Sequence, residues 1–372
     1  MTDKRLSAVL TVFLLLFVSV LSCGCSTTFT GQSQDKYPSI PENSATGEYT
    51  TVSHTFPFEN TNITIKIPLD RGLYEAAYNA DKSAYLSQDK ISSNNWSSGY
   101  YLSFINDPSL SPLYSSILEQ FRSLKKQMSL DSDRYAELIL AYVESIPYKT
   151  DKIRTEPKFP VETVYENSGD CDDKSILTAA LLSAEGYNVS LMEFEDDEHM
   201  SVGIKSPECS YKNTGYAYVE VTDYNYPGWP VIEIRDGKTL SSDPYIIRVG
   251  NGTTSYNSCG DVSYIYERMT EAKQKAESLE PRINSSENEL EVMASGISSM
   301  AERMDSLKKR GSTAEYNSLV AEYNNLVNEY NSKNSFVKSL VSQYNQNVKI
   351  YNYIIENRFN RKGVYGHLIL NP

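Results

Sequence analysis

The spacing of apolar residues predicts a β-hairpin followed by helices in the first half of the chain. From Tyr49 to Ile67, apolar and polar residues alternate in two runs separated by Glu59-Asn60, as in two paired strands. Residues 70–147 instead place apolar side chains three and four positions apart, most clearly in Leu113–Met128 and Arg134–Ile146. This region is interpreted as a helical prelude to the core that follows it.

One helix and several strands are predicted next. Residues 171–186 have an apolar stripe at helical spacing, with Asp170 as the N-cap and Gly186 as the stop. Strand-like runs separated by polar loops then follow at Asn188–Glu193, His199–Ile204, Tyr216–Thr222 and Val231–Ile234. A helix followed by antiparallel strands is an α+β arrangement, which is the fold class that we expect.

The last third of the chain carries heptad stripes. One series of apolar residues runs from Leu290 to Leu307 and a second from Tyr316 to Tyr351, with Gly311-Ser312 between them. Two long helices folded back as an antiparallel coiled-coil hairpin are the simplest arrangement. The expected role of this hairpin is a spacer, or an arm for self-association or partner binding.

The N-terminus has the pattern of an export signal. In residues 1–22, two basic residues precede an uncharged run that is shorter than the roughly 20 apolar residues of a membrane span. The run ends at Cys23-Gly24-Cys25, which resembles a lipobox, so we expect cleavage before Cys23 and lipidation of that residue. Cleavage before Cys25 and an uncleaved apolar anchor are the alternatives. Each of them places the rest of the chain on the extracellular face of the cell membrane.

Composition favours an external protein and argues against one class of partner. The formal net charge is −13 and the chain has no basic stripe, which argues against binding to the phosphates of nucleic acids. Five Asn-X-Ser/Thr sequons are usable as glycosylation sites only on an exported chain. They lie at Asn62, Asn95, Asn188, Asn251 and Asn284. In an oxidising compartment, Cys209 and Cys259 are candidates for a disulfide.

These patterns divide the chain into five segments. They are a signal peptide at 1–22, a flexible tether at 23–49, a main domain at 50–260, the hairpin at 261–357 and a C-terminal tail at 358–372. The tether is predicted because its residues are rich in Ser, Thr, Gly and Gln and have no apolar period.

Three short motifs carry the candidate chemistry. They are Gly169-Asp170-Cys171-Asp172-Asp173 at the start of the predicted helix, Glu198-His199-Met200 at the start of a strand, and Tyr218-Val219-Glu220-Val221-Thr222 on the next strand. A cysteine in the first turn of a helix meets the positive end of the macrodipole and unpaired N–H groups, which favour the thiolate. Cys171 is therefore the candidate nucleophile.

A base and an orienting acid complete the arrangement. His199 can face the sulfur, and Glu220 on the neighbouring strand can hold the other nitrogen of the imidazole ring. His54 and His367 lie in the N-terminal hairpin and the C-terminal tail, which leaves His199 as the base candidate. Asp223 takes the place of Glu220 if the strand register differs.

Together these motifs resemble the transglutaminase-like superfamily, and most closely its microbial and archaeal members. The resemblance runs from Tyr142–Tyr148, through Phe159–Thr163, to about Ile234. It implies a papain-like fold in which the motif cysteine, histidine and glutamate form a catalytic triad. It also implies acyl transfer through a thioester.

Two residues depart from the pattern of that superfamily. Its third triad residue is usually Asp, where this chain has Glu220, and Glu144 stands where related sequences often have Gln. These departures leave the carboxylate geometry and the oxyanion donors open. The backbone N–H of Cys171 is one expected donor, and a second is not identified.

The resemblance and the export signal predict an extracytoplasmic, membrane-anchored cysteine acyltransferase or amidohydrolase that acts on peptide or isopeptide bonds. Its partner is a protein or peptide substrate, and no cofactor is expected. The acidic clusters around Asp172 and Asp196 lack the spacing of a calcium loop, so no metal site is expected. The alternative is a non-catalytic binding or scaffold module, in which Cys171 is a small buried thiol or half of a disulfide with Cys209 or Cys259.

Overall fold

The computed structural model describes residues 35–87, 90, 96–151, 153–231, 234 and 239–371. The predicted signal peptide, the lipidation at Cys23 or Cys25 and the sequon at Asn95 lie outside the described residues. The predicted strand Val231–Ile234 lies partly outside them.

The described residues form two compact units. Those up to Ser263, together with Phe359–Lys362, form the first unit, which we call the body. Residues Tyr264–Arg358 and those from Gly363 onward form the second unit, which we call the arm. Within the described part of the chain, no helix has the length and apolar character needed to cross a membrane.

A β-hairpin opens the body. Strands β1 (Tyr49–Phe58) and β2 (Thr61–Asp70) pair antiparallel, and Glu59 in the turn adopts a φ of +51°. Every second side chain of β2 is buried, which is the pattern of a strand with one face on a core. The predicted hairpin is confirmed.

Between the hairpin and Cys171, the described residues include five α-helices. They are α1 (Arg71–Asn79), α2 (Trp96–Asn106), α3 (Ser111–Gln127), α4 (Ser132–Ser145) and α5 (Pro160–Glu166). Helix α4 begins where the Asp131 side chain accepts the N–H of Arg134, which satisfies a donor that the helix itself cannot pair. The helices predicted at Leu113–Met128 and Arg134–Ile146 are confirmed.

Helix α6 (Cys171–Ala184) packs against a four-stranded antiparallel sheet of order β5-β4-β3-β6. The strands are β3 (Val189–Phe194), β4 (His199–Lys205), β5 (Tyr216–Val219) and β6 (Tyr245–Val249). This arrangement confirms the predicted α+β class. Strand β6, on the far edge of the sheet, has no counterpart among the predicted strands.

Strand β5 is shorter than its predicted range of Tyr216–Thr222. It ends at Val219, because the Glu220 carboxylate accepts the backbone N–H of Thr222 and turns the chain out of the ladder. The Gly228 N–H then returns to the Tyr218 carbonyl oxygen at 2.8 Å. The proposed acid therefore lies at the first position after the strand.

The prediction of a tether through residue 49 is wrong from residue 35 onward. Lys36 and Tyr85 exchange two backbone hydrogen bonds of 2.8 Å. Ile40 is 4% exposed and donates its N–H to Asp107, and the Asp70 carboxylate accepts two further N–H groups of this segment. One buried side chain and two buried carboxylates thus fix a polar stretch that has no apolar period.

A disulfide joins Cys209 to Cys259 within the body, as the sequence suggested. It links the loop after β4 to the first residue of α7 (Cys259–Lys309). Ser206, whose hydroxyl lies 3.4 Å from the Cys259 sulfur, also accepts two backbone N–H groups of that loop.

The arm is built mainly from α7 and α8 (Thr313–Glu356), which are separated by a short turn. Gly311 in the turn has a φ of +73°, a conformation that L-residues with a side chain rarely adopt. A further helix, α9 (Arg361–Leu370), occupies much of the predicted tail.

Helices α7 and α8 pair antiparallel. Leu279 and Ile283 cluster with Leu340, and ten residues after Leu279, Glu289 forms an ion pair with Lys333. Residues with higher numbers on α7 therefore contact residues with lower numbers on α8. The predicted antiparallel hairpin is confirmed.

Candidate active site

Cys171 is the first residue of α6. The Asp170 side chain accepts the N–H of Asp173, and the Asp173 side chain accepts the N–H of Asp170, so the two form a capping box around the cysteine. The cysteine is half-buried and its thiol is free. The alternative of a disulfide between Cys171 and Cys209 or Cys259 is therefore wrong.

The surroundings of the sulfur favour the neutral thiol in the resting protein. Burial raises the pKa of the Cys171 thiol well above its ordinary value, and the negative charges of Asp172 and Asp170 raise it further. The Met200 backbone N–H opposes them by donating to the sulfur. The expected preference for thiolate at the helix N-terminus is wrong here, because burial of the sulfur and the nearby charges of Asp172 and Asp170 favour the neutral thiol.

Asp172 is itself unusual. Its Oδ1 lies 3.5 Å from Cys171 Sγ. Burial, with the charges of Asp170 and Asp173, raises the pKa of Asp172 to about 7. Near neutral pH this carboxyl group is therefore close to half protonated.

His199 and Glu220 lie together at the ends of neighbouring strands. His199 begins β4, Glu220 follows β5, and His199 Nε2 is 3.2 Å from Glu220 Oε2. Both side chains are buried. The other nitrogen of the imidazole ring, Nδ1, takes no part in this contact.

Three more hydrogen bonds hold the Glu220 carboxylate. The Tyr218 hydroxyl donates to Oε2 at 2.6 Å, and Thr222 donates to Oε1 from its hydroxyl at 2.6 Å and from its N–H at 2.9 Å. Burial alone would raise the pKa of Glu220, but His199, Thr222 and Tyr218 together lower it to about 2. Glu220 is therefore a carboxylate at any physiological pH.

Tyr218 is a site residue to which the sequence analysis gave no role. Its hydroxyl is 3.2 Å from His199 Nε2 as well as 2.6 Å from Glu220. Burial and the Glu220 charge raise the pKa of Tyr218, so the phenol keeps its proton and donates. The alternation of side chains along a strand, which places residues 218 and 220 on one face, could have identified it.

The structure brings His199 and Glu220 together but does not join His199 to Cys171. Among the hydrogen bonds between described residues, none links the Cys171 sulfur to the imidazole ring. The sulfur instead meets the N–H of Met200, the residue next to His199. Catalytic hydrogen bonds often tighten only when a substrate binds, so this geometry is compatible with a base that engages later.

Asp223, the alternative acid, does not face the imidazole ring in the contacts described. Its Oδ1 accepts the N–H of Tyr224, and its side chain lies at the surface. Glu220 is the carboxylate that contacts His199.

Two buried residues, Lys174 and Glu144, connect α6 to the loop after Glu220. Lys174, on α6, is fully buried and donates from Nζ to the carbonyl oxygens of Glu144 and Ile146 at 3.1 and 2.8 Å. The Glu144 carboxyl accepts the N–H of Asn225 in that loop, and its burial raises its pKa well above the ordinary value. The pair fixes the start of α6 and the loop against the end of α4.

Helix α2 supplies a polar and aromatic neighbour to the thiol. Burial raises the pKa of Tyr101, and the negative charges of Asp172 and Glu193 add to this effect. Glu193, on β3, accepts hydrogen bonds from Ser97 and Tyr101. The surroundings of Cys171 therefore combine carboxyl groups with phenol rings.

No group of three or more His, Cys, Asp or Glu side chains within the described ranges is arranged to hold a metal ion. Comparison of the chain with protein-family models, with curated proteins and with solved structures finds no match. The residues of the site are thus the basis for assigning its chemistry.

Proposed function

We propose that the body is a cysteine acyltransferase or amidohydrolase of the transglutaminase-like kind, with a papain-like core. The observation that carries this proposal is the buried His199–Glu220 pair, which lies directly beside the residue whose N–H meets the Cys171 sulfur. An ionised carboxylate on one imidazole nitrogen fixes the tautomer in which the other nitrogen can accept a proton.

The reaction proceeds in two steps. The Cys171 thiol transfers its proton to His199 Nδ1 while the sulfur bonds to the carbonyl carbon of a peptide or isopeptide amide. His199 then returns that proton to the leaving amine as the C–N bond breaks, which leaves a thioester on Cys171. Water or a second amine attacks the thioester and releases the acid or the new amide, with the thiol regenerated.

Because the pKa of Cys171 is raised, we propose that the thiol loses its proton to His199 in the same step in which the sulfur attacks the carbonyl carbon. A neutral thiol needs a base at the moment of attack, and the Glu220 carboxylate stabilises the imidazolium that results. For this step the imidazole must approach the sulfur more closely than in the resting arrangement. Binding of a substrate amide is the event that we expect to bring them together.

The location proposed for this activity is the extracellular face of the cell membrane. The apolar run that ends at Cys23 supports a lipid anchor on the exported chain, and the Cys209–Cys259 disulfide fits an oxidising compartment. Surface proteins and cell-envelope peptides are the substrates within reach of such an anchor.

A non-catalytic binding module is the second candidate. The observation that favours it is the neutral thiol at rest, whose sulfur has no hydrogen bond to His199 among those between described residues. In that case the His199–Glu220 pair is a structural feature of the sheet, and the arm carries the working surface.

Trapping of a thioester distinguishes the two candidates. The exported chain is incubated with a panel of glutamine-containing and envelope-derived peptides, quenched in acid, and analysed by intact mass and peptide mapping. Adducts on Cys171 are expected for the wild type and should disappear in Cys171→Ala and His199→Ala, while Asp223→Asn serves as the matched acid control. Failure of every peptide to acylate Cys171, with the variants folded, would favour the binding module.

A further inference from the structure

Four residues that lie between the two parts of the arm in the sequence belong to the body. The Phe359–Lys362 segment, which we call the return segment, is part of the same compact unit as the residues up to Ser263. The Phe359 carbonyl oxygen accepts the N–H of Glu59 at 2.8 Å, and the Asn360 side chain donates to Asn60 at 3.0 Å. The return segment is thereby fixed to the turn of the β1–β2 hairpin.

The strongest attachment of the return segment is Arg361. Its side chain is 3% exposed, pairs with Glu137 through Nε at 2.5 Å, and also pairs with Asp261. Tyr256 donates a hydrogen bond to the same Glu137 oxygen at 2.7 Å. Removing one partner of such a buried pair leaves an uncompensated buried charge, which strongly destabilises the folded protein.

The return segment also contacts the loop that follows the proposed acid. The rings of Phe359 and Tyr224 pack edge to face with centroids 4.4 Å apart. The Asn360 backbone N–H donates to the Tyr226 hydroxyl. Residues 223–228, which we call the acid loop, are therefore held from one side by residues about 135 positions later in the chain.

The acid loop begins three residues after Glu220 and is fixed at two other points. The Gly228 N–H bonds to the Tyr218 carbonyl oxygen, and the Asn225 N–H bonds to Glu144. Two of the donors that hold Glu220 belong to Thr222, the residue just before the loop. A displacement of the acid loop consequently moves the groups that orient the Glu220 carboxylate.

From these contacts we infer that the return segment is a positioning element for Glu220, with Phe359 and Arg361 as its positioning residues. The consequence for catalysis rests on the proposed function, whereas the effect on the His199–Glu220 pair does not. Mispositioning of a catalytic group by about 1 Å can cost about 100-fold in rate. The inference therefore predicts an activity defect from residues that do not contact the triad.

The decisive variant is Phe359→Ala, with Phe336→Ala as its control, because Phe336 is a 47% exposed phenylalanine on the arm. The first measurement is the low-field proton resonance of the His199 Nε2–H, which a carboxylate acceptor shifts and protects from exchange. We expect this resonance to broaden or disappear in Phe359→Ala and to persist in Phe336→Ala. The assignment is tractable because the chain has three histidines.

The second measurement is turnover of a peptide identified by the thioester trap. Phe359→Ala is expected to lower kcat by roughly 10- to 100-fold with little change in KM, because the substrate contacts remain while the acid is displaced. Arg361→Met should give the same direction of change. Phe336→Ala should turn over like the wild type.

The outcomes separate the two proposals. If Phe359→Ala keeps both the resonance and the activity, the positioning role is refuted. If the resonance depends on Phe359 but no peptide acylates Cys171 in any form of the protein, the positioning role stands and the proposed function fails. If Phe359→Ala loses the helical signal in circular dichroism, Tyr224→Leu removes the same ring contact from the loop side and decides the question.

Discussion

The Tyr218 hydroxyl donates to Glu220 Oε2 at 2.6 Å and lies 3.2 Å from His199 Nε2, so one phenol contacts both members of the buried pair. The Glu220 carboxylate accepts hydrogen bonds from Thr222 and Tyr218 as well as from the imidazole ring. Tyr218 is the donor that lies on strand β5. A donor to a charged acceptor typically contributes about 1.5–3 kcal/mol.

Tyr218→Phe is therefore expected to lower kcat/KM by roughly 10- to 100-fold while the fold is retained, since RT ln 10 is about 1.4 kcal/mol. Steady-state kinetics on a trapped peptide substrate provide the measurement. Tyr216→Phe is the matched control, because Tyr216 lies on the same strand but its hydroxyl donates to Asn188. Equal losses in both variants would mean that the phenols support only the sheet.

Glu220→Gln tests the charge of the acid rather than its orientation. The amide keeps the size and one acceptor oxygen but cannot stabilise imidazolium, so we expect a large and incomplete loss, of about 10⁴-fold by comparison with other triads. The wild-type carboxylate has a pKa of about 2, so the rate should not fall through titration of Glu220 between pH 5 and 8. Full activity in Glu220→Gln combined with an inactive Asp223→Asn would transfer the role to Asp223.

Asp172 should make the folded protein less stable as the pH rises, which is opposite to the usual effect of a carboxyl group. Its pKa is raised from 3.8 to about 7, so its protonated form is favoured in the folded state. The wild type therefore keeps its full stability below about pH 4 and loses part of it as the pH rises from about 4 to about 7. At 1.36 kcal/mol per pKa unit, the difference between 3.8 and about 7 corresponds to a loss of about 4 kcal/mol.

Asp172→Asn should remove this loss. Urea unfolding at pH 8 is expected to need more denaturant for the variant than for the wild type, with little difference near pH 4. The exposed Asp196→Asn is the control and should behave as the wild type at both pH values. Loss of the charge beside the sulfur should also lower the pKa of Cys171, so iodoacetamide should label the variant faster at pH 8. If Asp172→Asn is no more stable than the wild type at pH 8, the raised pKa of Asp172 is contradicted.

The Cys209–Cys259 disulfide closes a loop with a sequence separation of 50 residues. Chain-entropy arguments assign such a crosslink about 4 kcal/mol. We expect the double variant Cys209→Ser/Cys259→Ser to unfold at a correspondingly lower urea concentration. Reduction of the wild type provides an independent check, because it should approach the stability of the double variant without any change of residue.

Pairing of the two long helices should depend on Leu340. Leu340 is 3% exposed, and truncation of a buried leucine to alanine usually costs about 2–5 kcal/mol. Val292, on the partner helix, is 73% exposed, and Val292→Ala should cost less than about 0.5 kcal/mol. Chemical unfolding of the full chain followed by helical circular dichroism compares them. Similar costs for both would argue against the antiparallel packing.

Local patterns in the sequence predicted those parts of the fold that local physics determines. The alternation in Tyr49–Ile67, the cap at Asp170 and the heptads around Gly311 each correspond to an element with a cap, turn or buried face of its own. Strand β6 was missed because five residues give too short a pattern to distinguish from a loop.

Contacts between distant residues could not be predicted in the same way. Arg361 meets Glu137 across a separation of 224 residues, and nothing in the composition of either neighbourhood marks the pair. The motif spacing predicted that His199 meets Glu220, because paired strands fix such neighbours. It did not predict the raised pKa of Cys171, which depends first on burial of the sulfur and then on the charges of Asp172 and Asp170 beside it.

The place of Arg361 in the chain also sets an order of events during synthesis. About 100 residues of the arm must be made after Ser263 before Arg361 exists to neutralise the buried carboxylate of Glu137. At about 5–20 residues per second, this interval lasts roughly 5–20 s. The nascent chain therefore cannot complete the body as soon as its first 263 residues have emerged. Under the proposed export of the chain, machinery that accepts unfolded polypeptides has that interval in which to engage it.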